Sequence, residues 1–312
     1  MQLGHIALVT LSADSPPVLL LAFNRPALVQ RVLEALGAAR PARLYVALDG
    51  PRAGHPDDLA RCAEVRRVID GAVSWPCDVR HLYRDTNLGL QRAVVSGIDW
   101  FFEHETGGVI LEDDCVPAPA FLPFAGEMLA TYADAPDIMQ ISGASLRSHV
   151  APQSASYLFS GGGHIWGWAT WRRAWRTFEP TFAAWPRDRS GYRRDPDPLR
   201  RALGHKFASA HAGRKWTWSR AWYWTMAQQR GLAIIPSVNL VENVGDGPDA
   251  THQHGANHPL RRQIADSFTW PLVHPARIER DAEYDRLLAR YHRGSWRRRL
   301  SDAWWVWRES RA

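Results

Sequence analysis

Four apolar segments, each followed by a polar turn and then by a helical pattern, constrain the fold of this chain more than any other feature. The segments are 17–23, 43–48, 79–83 and 107–111. Continuous apolar runs of this length are typical of strands buried on both faces, and their alternation with helices predicts parallel strands joined by right-handed crossovers. The sequence therefore predicts an α/β fold with a Rossmann-like, mainly parallel central sheet flanked by helices.

Further helical patterns and two further apolar runs extend this alternation. Pro26 suits the first turn of a helix, and apolar residues at 28, 32, 33 and 36 share one helical face until Pro41 ends it. The other predicted elements are helices over 56–71, 90–105, 119–133 and 216–230, strands over 137–142 and 232–235, and a polar loop over 238–252. This order places functional side chains on the loops that follow the strands.

The composition indicates a globular protein. Its 312 residues, 46% of them apolar, are enough for one large domain or two modest ones. No apolar run approaches the roughly 20 residues that cross a bilayer, and segment 3–11 lacks the basic flank and cleavage site of a signal peptide. Cys62, Cys77 and Cys115 form no CxxC pair, which indicates neither a disulfide framework nor a thiolate metal site. We therefore expect a cytoplasmic protein with reduced thiols.

The net charge of +6 is concentrated in residues 286–312, within the predicted C-terminal helical tail, 276–312. Residues 286–312 hold eight arginines against two acids, and this excess equals the whole net charge, which argues against a nucleic-acid groove. One predicted helical face of the tail combines apolar and basic residues: Trp296, Leu300, Trp304 and Trp307, flanked by Arg297, Arg298 and Arg299. We expect peripheral contact with an anionic membrane, at its inner face; a terminal helix docked on its own domain or on a partner is the alternative.

Three consecutive carboxylates, Glu112, Asp113 and Asp114, follow the fourth predicted strand. Ligands of an open α/β sheet bind beyond the carboxyl ends of the strands, where acids can hold a divalent cation against the phosphates of a nucleotide. Neither a GxGxxG motif after the first strand nor a P-loop motif is present, so a nucleotide would have to be held in another way. A solvated acidic turn is the alternative interpretation.

A tryptophan-rich region follows the predicted sheet. Residues 166–224 contain nine of the sixteen tryptophans, interleaved with arginines. Sugar rings stack on tryptophan faces, single-stranded nucleic acid uses aromatic and basic side chains together, and a packed aromatic core beneath loops gives the same composition. The sequence leaves these interpretations open, with sugar stacking and a packed core favoured over nucleic acid.

Six short segments occur in the order seen in glycosyltransferases of the GT-A fold, and the chain resembles the branch related to N-acetylglucosaminyltransferase I over about residues 17 to 255. The segments are Phe23-Asn24-Arg25-Pro26, Asp49-Gly50, Asn87-Leu88-Gly89, Glu112-Asp113-Asp114, Trp166-Gly167-Trp168-Ala169-Thr170-Trp171 and Asn239-Leu240-Val241-Glu242-Asn243-Val244-Gly245. The resemblance implies a metal-dependent, inverting hexosyltransferase of polysaccharide biosynthesis. Such an enzyme moves a sugar from a nucleoside-diphosphate sugar to a hydroxyl of a glycan or lipid-linked acceptor. The resemblance also implies a GT-A domain over residues 1–275, with a nucleotide-sugar-binding half over 17–142 and an acceptor-side half over 143–275.

The resemblance implies specific roles for individual residues. The implied donor-binding residues are Asn24, Arg25, Asp49, Asn87, Glu112 and Asp113, and the implied ligands of Mn²⁺ or Mg²⁺ are Asp114 and His252. Each has a structural alternative: Arg25 in a surface ion pair, Asp49 in its Asp-Gly turn, and Asn87 as a helix cap. The implied acceptor residues are His164, Trp166, Trp168, Trp218 and Ser219, with 160–173 as a loop that closes over the donor.

The general base is where the sequence departs from the family pattern. Members of that branch read Trp-Asp-x-x-Trp in the tryptophan-rich helix, whereas this chain has Ser219 in place of the aspartate. Asp246 or Asp249, in the later polar loop, is the candidate substitute. Two other functions stay open. One is a sugar nucleotidyltransferase, for which a glycine-rich basic segment would be expected after the first strand, a segment that Phe23-Asn24-Arg25-Pro26 does not supply. The other is a catalytically silent glycan- or nucleotide-binding relative.

Overall fold

The computed structural model describes residues 15–146, 155–246, 258, 260 and 268–293. Its first half alternates strands and helices: β1 Val18–Ala22, α1 Pro26–Ala39, β2 Arg43–Leu48, α2 Pro56–Ala72, β3 Asp78–Tyr83, α3 Leu90–His104, β4 Gly107–Glu112, β5 Cys115–Pro117, α4 Phe121–Thr131 and β6 Ile138–Ser142. Its second half contains β7 Tyr157–Ser160, β8 Trp168–Trp171, α5 Arg172–Trp175, α6 Trp185–Arg194, α7 Pro198–His211, α8 Trp218–Gln229, β9 Leu232–Pro236, β10 Val241–Asn243 and α9 Ala282–Arg293.

The core of the molecule is an eight-stranded sheet with the order β3-β2-β1-β4-β8-β6-β9-β7. β1 pairs in parallel with β2 on one side and with β4 on the other, and β2 pairs in parallel with β3. β8 runs antiparallel between β4 and β6, and β7 runs antiparallel at the edge beside β9. The sheet is therefore mostly parallel and flanked by helices, which confirms the predicted α/β class.

The burial of the strands and helices explains why the apolar runs predicted them. All five residues of β1 are buried, and α1 and α3 pack on this half of the sheet through apolar faces. Those faces carry Val29, Val32, Leu33 and Leu36 on α1, and Val94, Ile98, Phe101 and Phe102 on α3. The predicted helix over 119–133 is present as Phe121–Thr131. The prediction of a loop over 238–252 was wrong for Val241–Asn243, because these residues form β10, which pairs antiparallel with β5.

The described part of the predicted tail is packed on the body of the molecule. Tyr284 and Leu288 of α9 are fully buried, and the Asp285 carboxylate accepts hydrogen bonds from the Ser160 hydroxyl, at 2.6 Å, and the Gly161 N–H. Seven tail residues are predicted to touch a membrane: 296–300, 304 and 307. All seven lie outside the described residues. Across the described part of the chain, no helix combines the length and the apolar character that crossing a membrane requires.

Candidate functional site

A pocket of about 570 Å³ opens at the carboxyl ends of β1, β2 and β4. The chain runs outward from β1 to β2 and β3 and then returns to place β4 on the other side of β1, so the pocket lies where the strand order reverses. All six predicted donor-binding residues line it: Asn24, Arg25, Asp49, Asn87, Glu112 and Asp113. The structure therefore brings together side chains from four separate post-strand segments, although their ligand-binding roles stay predictions.

Arg25 is the counter-ion of the acidic cluster. It precedes α1, and its guanidinium donates to both carboxylate oxygens of Asp113, with Nε at 3.2 Å from Oδ2, and lies 3.1 Å from Oδ2 of Asp114. Burial would lower the pKa of Arg25, but the two carboxylates outweigh it and raise that pKa. The alternative of a surface ion pair fails for Arg25, because both its partners and its own side chain are largely buried.

The pKa values of Glu112 and Asp113 are raised because these two acids are buried beside other carboxylates. Burial raises the pKa of Glu112 to about 8, and the neighbouring Asp114 and Asp113 carboxylates add to the rise. Burial also raises the pKa of Asp113, although Arg25 opposes it. Glu112 is the last residue of β4 and lines the pocket, so its carboxyl group can contact a ligand that binds there.

Asp49 ties two of the pocket loops together. Its Oδ1 accepts from the N–H groups of Gly50 and Leu88, both at 2.9 Å, and its Oδ2 accepts from the Asn87 side-chain amide at 3.0 Å. Position 50 must be glycine for this approach, because a Cβ there would lie 2.5 Å from the main chain of Thr86. Asp49 therefore has a turn-stabilising role, and at most one lone pair of Oδ2 is left for the predicted contact with a base.

Asn87 does not cap the following helix through its side chain, so that alternative is wrong. Gly89 occupies the cap position of α3, and no side chain caps the helix there. The Asn87 amide instead donates to Asp49 and to the Gly50 carbonyl, at 2.9 Å, and its oxygen accepts from the Gly89 N–H at 3.0 Å. The amide is thus committed to joining the loops after β2 and β3.

A buried carboxylate that sequence reasoning missed supports the other end of the pocket. Asp58, in the first turn of α2, accepts from the Asn24 amide at 2.7 Å and from Nε of Arg52 at 2.6 Å. These hydrogen bonds lower the pKa of Asp58, the one from Arg52 most strongly. Arg52 also lies over the Phe23 ring at 5.4 Å, and Phe23, Arg52 and Arg61 all line the pocket. Arg52 follows the second strand, so the post-strand rule was a signal that could have found it.

Asp114, the predicted metal ligand, is oriented by a neighbouring strand end. Its Oδ1 accepts from the Asn243 amide at 3.0 Å. Its Oδ2 lies 3.1 Å from the Arg25 guanidinium and close to Gly245, where a Cβ would come within 2.3 Å of this oxygen. Within the described ranges, no three His, Cys, Asp or Glu side chains are grouped so as to hold a metal ion. As the side chains stand, the cluster therefore does not fit a divalent cation.

The acceptor-side residues are packed into the core. Trp168 is 1% exposed, and its ring lies 5.5 to 6.3 Å from those of Trp218, Trp222 and Trp175. The prediction that 160–173 is a closing loop is wrong for 168–171, because these residues form β8 between β4 and β6. Trp166 is also buried, so the packed-core alternative describes this cluster.

His164 and Ser219 have different surroundings. The His164 ring is 2% exposed, with Nε2 at 2.9 Å from the Tyr284 hydroxyl, and burial lowers its pKa to about 3. Such a histidine stays neutral and is sequestered from a substrate. Ser219 is half-buried in the first turn of α8, one residue after Trp218, whose N–H donates to Gln91 at 2.6 Å. The Ser219 hydroxyl lies 3.1 Å from that of Thr217, and Ser219 is not among the residues that line the pocket.

The candidate bases fall at the border of the described chain. Asp246 is exposed and directly follows Gly245, which lies against Asp114. This places its main chain beside the acidic cluster, as a base acting near the cluster requires. Asp249 and His252, the other candidates from that loop, lie outside the described residues.

No protein-family model matches the sequence, and no curated protein matches it. Among solved structures, HddC from Yersinia pseudotuberculosis is 11% identical, with 51% of this chain and 77% of that chain covered and a TM-score of 0.31. UDP-glucose pyrophosphorylase complexed with UDP-glucose is 9% identical, with 74% and 94% covered and a TM-score of 0.36. Its apo structure is 9% identical, with 72% and 93% covered and a TM-score of 0.34. At these TM-scores the overlap is partial, and it assigns no activity to the chain.

Proposed function

We propose that this chain is a glycosyltransferase that binds a nucleoside-diphosphate sugar in the pocket at the ends of β1, β2 and β4. The observation that carries the proposal is the convergence of all six predicted donor-binding residues on one pocket, at the point where the strand order reverses. The volume of about 570 Å³ lies within the range of small-molecule sites. The GT-A resemblance in the sequence supports the same assignment.

The lining of the pocket suits the parts of such a donor. Arg25, Arg52 and Arg61 supply guanidinium groups for a diphosphate, since arginine binds phosphate oxygens through paired N–H groups. Glu112 is available to accept from a ribose or sugar hydroxyl. Phe23 presents an aromatic ring to the same space, beneath Arg52, where a base can stack. The presence of both cations and carboxylates in the lining matches a ligand that carries both phosphate and hydroxyl groups.

The first loop of the pocket favours a glycosyltransferase over a sugar nucleotidyltransferase. Only residues 23–25 separate β1 from α1, and they contain no glycine. A nucleotidyltransferase binds a triphosphate, for which the sequence would be expected to supply a glycine-rich basic segment at this place. The short loop instead positions one cation, Arg25, at the end of β1.

For the transfer step, we propose Asp246 as the general base. It would accept the proton of the acceptor hydroxyl as that oxygen attacks the anomeric carbon and the nucleoside diphosphate leaves. Mn²⁺ or Mg²⁺ stays a proposed cofactor, with Asp114 and His252 as its proposed ligands; because the described side chains form no metal-binding group as they stand, no part of the transfer step is assigned to it. The acceptor, a glycan or a lipid-linked hydroxyl, and a place in polysaccharide biosynthesis are likewise proposals.

Product analysis tests the function. Purified protein is incubated with a panel of nucleotide sugars, and separately with sugar 1-phosphates and nucleoside triphosphates, with and without Mn²⁺. We expect release of a nucleoside diphosphate from one sugar nucleotide, slowly to water and faster with an acceptor. Release of pyrophosphate would identify a nucleotidyltransferase instead, and binding without turnover would identify a silent relative.

The same assay tests the base. Asp246→Asn is expected to lower kcat by about 100-fold or more while donor binding is retained, because general-base catalysis contributes factors of that size. Asp85→Asn, an exposed aspartate on the loop after β3, is the matched control and should leave turnover unchanged. Unchanged turnover in Asp246→Asn would remove Asp246 as the base without touching the donor assignment.

A further inference from the structure

We propose that a second cavity, between α6, α7 and the end of α8, is a binding site for a phosphate group, either free or attached to a sugar. The cavity has a volume of about 400 Å³ and is lined by side chains from all three helices. None of the predicted donor-binding or acceptor residues lines it. The proposal therefore goes beyond the glycosyl transfer proposed above.

The cavity lies at the opposite edge of the sheet from the donor-side pocket. Arg230 lines the cavity and comes two residues before β9. β9 runs parallel to β6, and β6 and β4 both run antiparallel to β8, so β9 and β4 point the same way. The start of β9 is therefore at the amino edge of the sheet, whereas the donor-side pocket is at the carboxyl edge. Failure of one site would not affect the other.

Guanidinium groups outnumber carboxylates in and around this cavity. Arg187, Arg200 and Arg230 line it, with Asp188 as the lining carboxylate. Nε of Arg187 lies 2.9 Å from the Asp188 carboxylate. Nε of Arg200 lies 2.7 Å from Asp195, and Arg230 makes no ion pair within the described ranges. Because arginine binds phosphate oxygens through paired N–H groups, the positive excess favours a phosphate over a neutral ligand.

Tyr192 contributes a buried hydroxyl that has no hydrogen-bond partner among the described residues. The Gln228 side chain lies nearby and also lines the cavity. Burial raises the pKa of Tyr192, so its hydroxyl stays protonated and can donate. A buried polar group without a partner is unfavourable unless a ligand or water satisfies it, and a phosphate in the cavity would accept this hydrogen bond.

The contacts of Arg200 hold its side chain in place for an anion. Its guanidinium lies over the Tyr192 ring, 4.6 Å from the centroid, and its Nη1 donates to the Ala227 carbonyl at 3.4 Å. The second contact covers a carbonyl of the last turn of α8, where the helix dipole would otherwise disfavour an anion. Arg187 and Arg230 are exposed, so they can close over a phosphate bound to Arg200 and Tyr192. The volume of the cavity leaves room for a sugar attached to that phosphate.

Phosphate binding measured with the donor-side pocket filled tests this proposal. Ala93→Trp places a ring in that pocket from α3 and serves as the background. Equilibrium dialysis with radiolabelled inorganic phosphate is expected to show saturable binding. Arg230→Gln and, separately, Tyr192→Phe should each weaken it by about tenfold, since each removes a hydrogen-bond donor to a charged ligand. Arg189→Gln, which removes an exposed arginine of α6 that does not line the cavity, is the matched control and should bind as the background does.

Competition with the labelled phosphate identifies the source of the group. Glucose 6-phosphate that competes more strongly than inorganic phosphate would indicate a sugar phosphate as the ligand, and equal competition would indicate free phosphate. Neutral glucose should not compete, because the proposed recognition is of the charged group.

Melting temperatures separate binding from folding. Without phosphate, Tyr192→Phe should melt no lower than the background, because the hydroxyl that it removes has no partner there. A clear loss of stability would show that the hydroxyl already has a partner, and it would contradict the proposal.

The proposal is overturned by an absence of saturable phosphate binding, by competition from glucose, or by an affinity that Arg230→Gln or Tyr192→Phe leaves unchanged. If Ala93→Trp does not fold, the same variants in the wild-type protein should each reduce the amount of phosphate bound per chain, and Arg189→Gln should not. An equal amount bound by all of them would likewise overturn the proposal. Each of these results would leave the donor site at the other edge of the sheet untouched.

Discussion

The sequence predicts functional roles for both the donor-side pocket and the tryptophan-rich region, but only the first is an open pocket, whereas the second is packed core. In the pocket, polar side chains from separate loops converge around an open volume. In the tryptophan-rich region, the ring of Trp168 packs against the rings of Trp218 and Trp222, and all three residues are buried. Polar residues that share a sheet edge are therefore a better guide to a site than aromatic residues that share a stretch of sequence.

The largest expected effect tests whether the tryptophan-rich region is core. Trp222 is fully buried, donates to the Gln140 side chain at 3.1 Å, and packs on Trp168 and Trp175. Trp222→Ala should lower the free energy of unfolding by about 3–5 kcal/mol, measured by chemical denaturation. Trp216→Ala is the matched control: that ring is half-buried, with one bond to the Pro180 carbonyl, so its loss should be clearly smaller. Equal losses would contradict the distinction.

A smaller effect is expected where stability and binding are coupled in the pocket. Asp58→Ala removes the partner of Asn24 and Arg52 and should cost on the order of 2 kcal/mol of unfolding free energy, together with donor affinity. Because the folded-state pKa of Asp58 is lowered, its contribution is fully present above the unfolded pKa near 4, begins to decline below that value and is lost only as the pH falls through the folded pKa. Denaturation curves at pH 7 and pH 3 check this: the difference between the variant and wild type should be smaller at pH 3 than at pH 7.

The third effect is a slope of stability against pH, and it concerns the buried histidine of the acceptor side. The folded-state pKa of His164 is about 3, below an unfolded value near 6.5, so only the unfolded chain takes up this proton between those values. Stability should fall as the pH falls through that window, by at most about 1.4 kcal/mol per pH unit for this one group. The imidazole ring of His164 faces the Tyr284 hydroxyl. Burial lowers its pKa most, and the neighbouring His258 and Lys206 lower it further.

Unfolding measured from pH 7 to pH 4 tests that sign. His164→Gln should lose part of the slope, whereas His55→Gln, on an exposed turn, is the control and should keep it. A slope that His164→Gln leaves intact would mean that the histidine is not held neutral in the core, and the contrast between the two regions would weaken.

Much of the fold was predictable because buried parallel strands, such as β1 and β2, have continuous apolar sequences. The antiparallel strand β8 was not, since its WATW segment follows glycines and gains strand character only from pairing with β4 and β6. The pairing of one strand with two others distant in sequence is a long-range contact that local pattern does not encode. β10 was missed for the same reason, because it forms only against β5.

The site was predictable to the extent that it follows from strand ends. Arg25, Asp49 and Glu112 were found because each directly follows or ends an apolar run. Asp58 was missed because it lies in a helix, and its role depends on how α2 docks beside the loop after β1. The pairing of Arg25 with the acids was also beyond the sequence, since it requires β1 and β4 to be neighbours. Sequence thus located the pocket but not its internal partners.

The most direct test of the central claim is ligand-induced stabilisation with a variant that fills the pocket. Melting temperatures are measured with a panel of nucleoside diphosphates and their sugars, since a ligand at 100 times its Kd stabilises a fold by about 2.7 kcal/mol. Ala93→Trp places a large ring in the pocket from α3, whereas Arg92→Trp adds the same ring one residue away, on the exposed side of that helix. We predict a shift for at least one nucleotide that Ala93→Trp abolishes and Arg92→Trp retains. A panel that leaves wild-type melting unchanged, or a shift that survives in Ala93→Trp, would contradict the assignment of this pocket as the donor site.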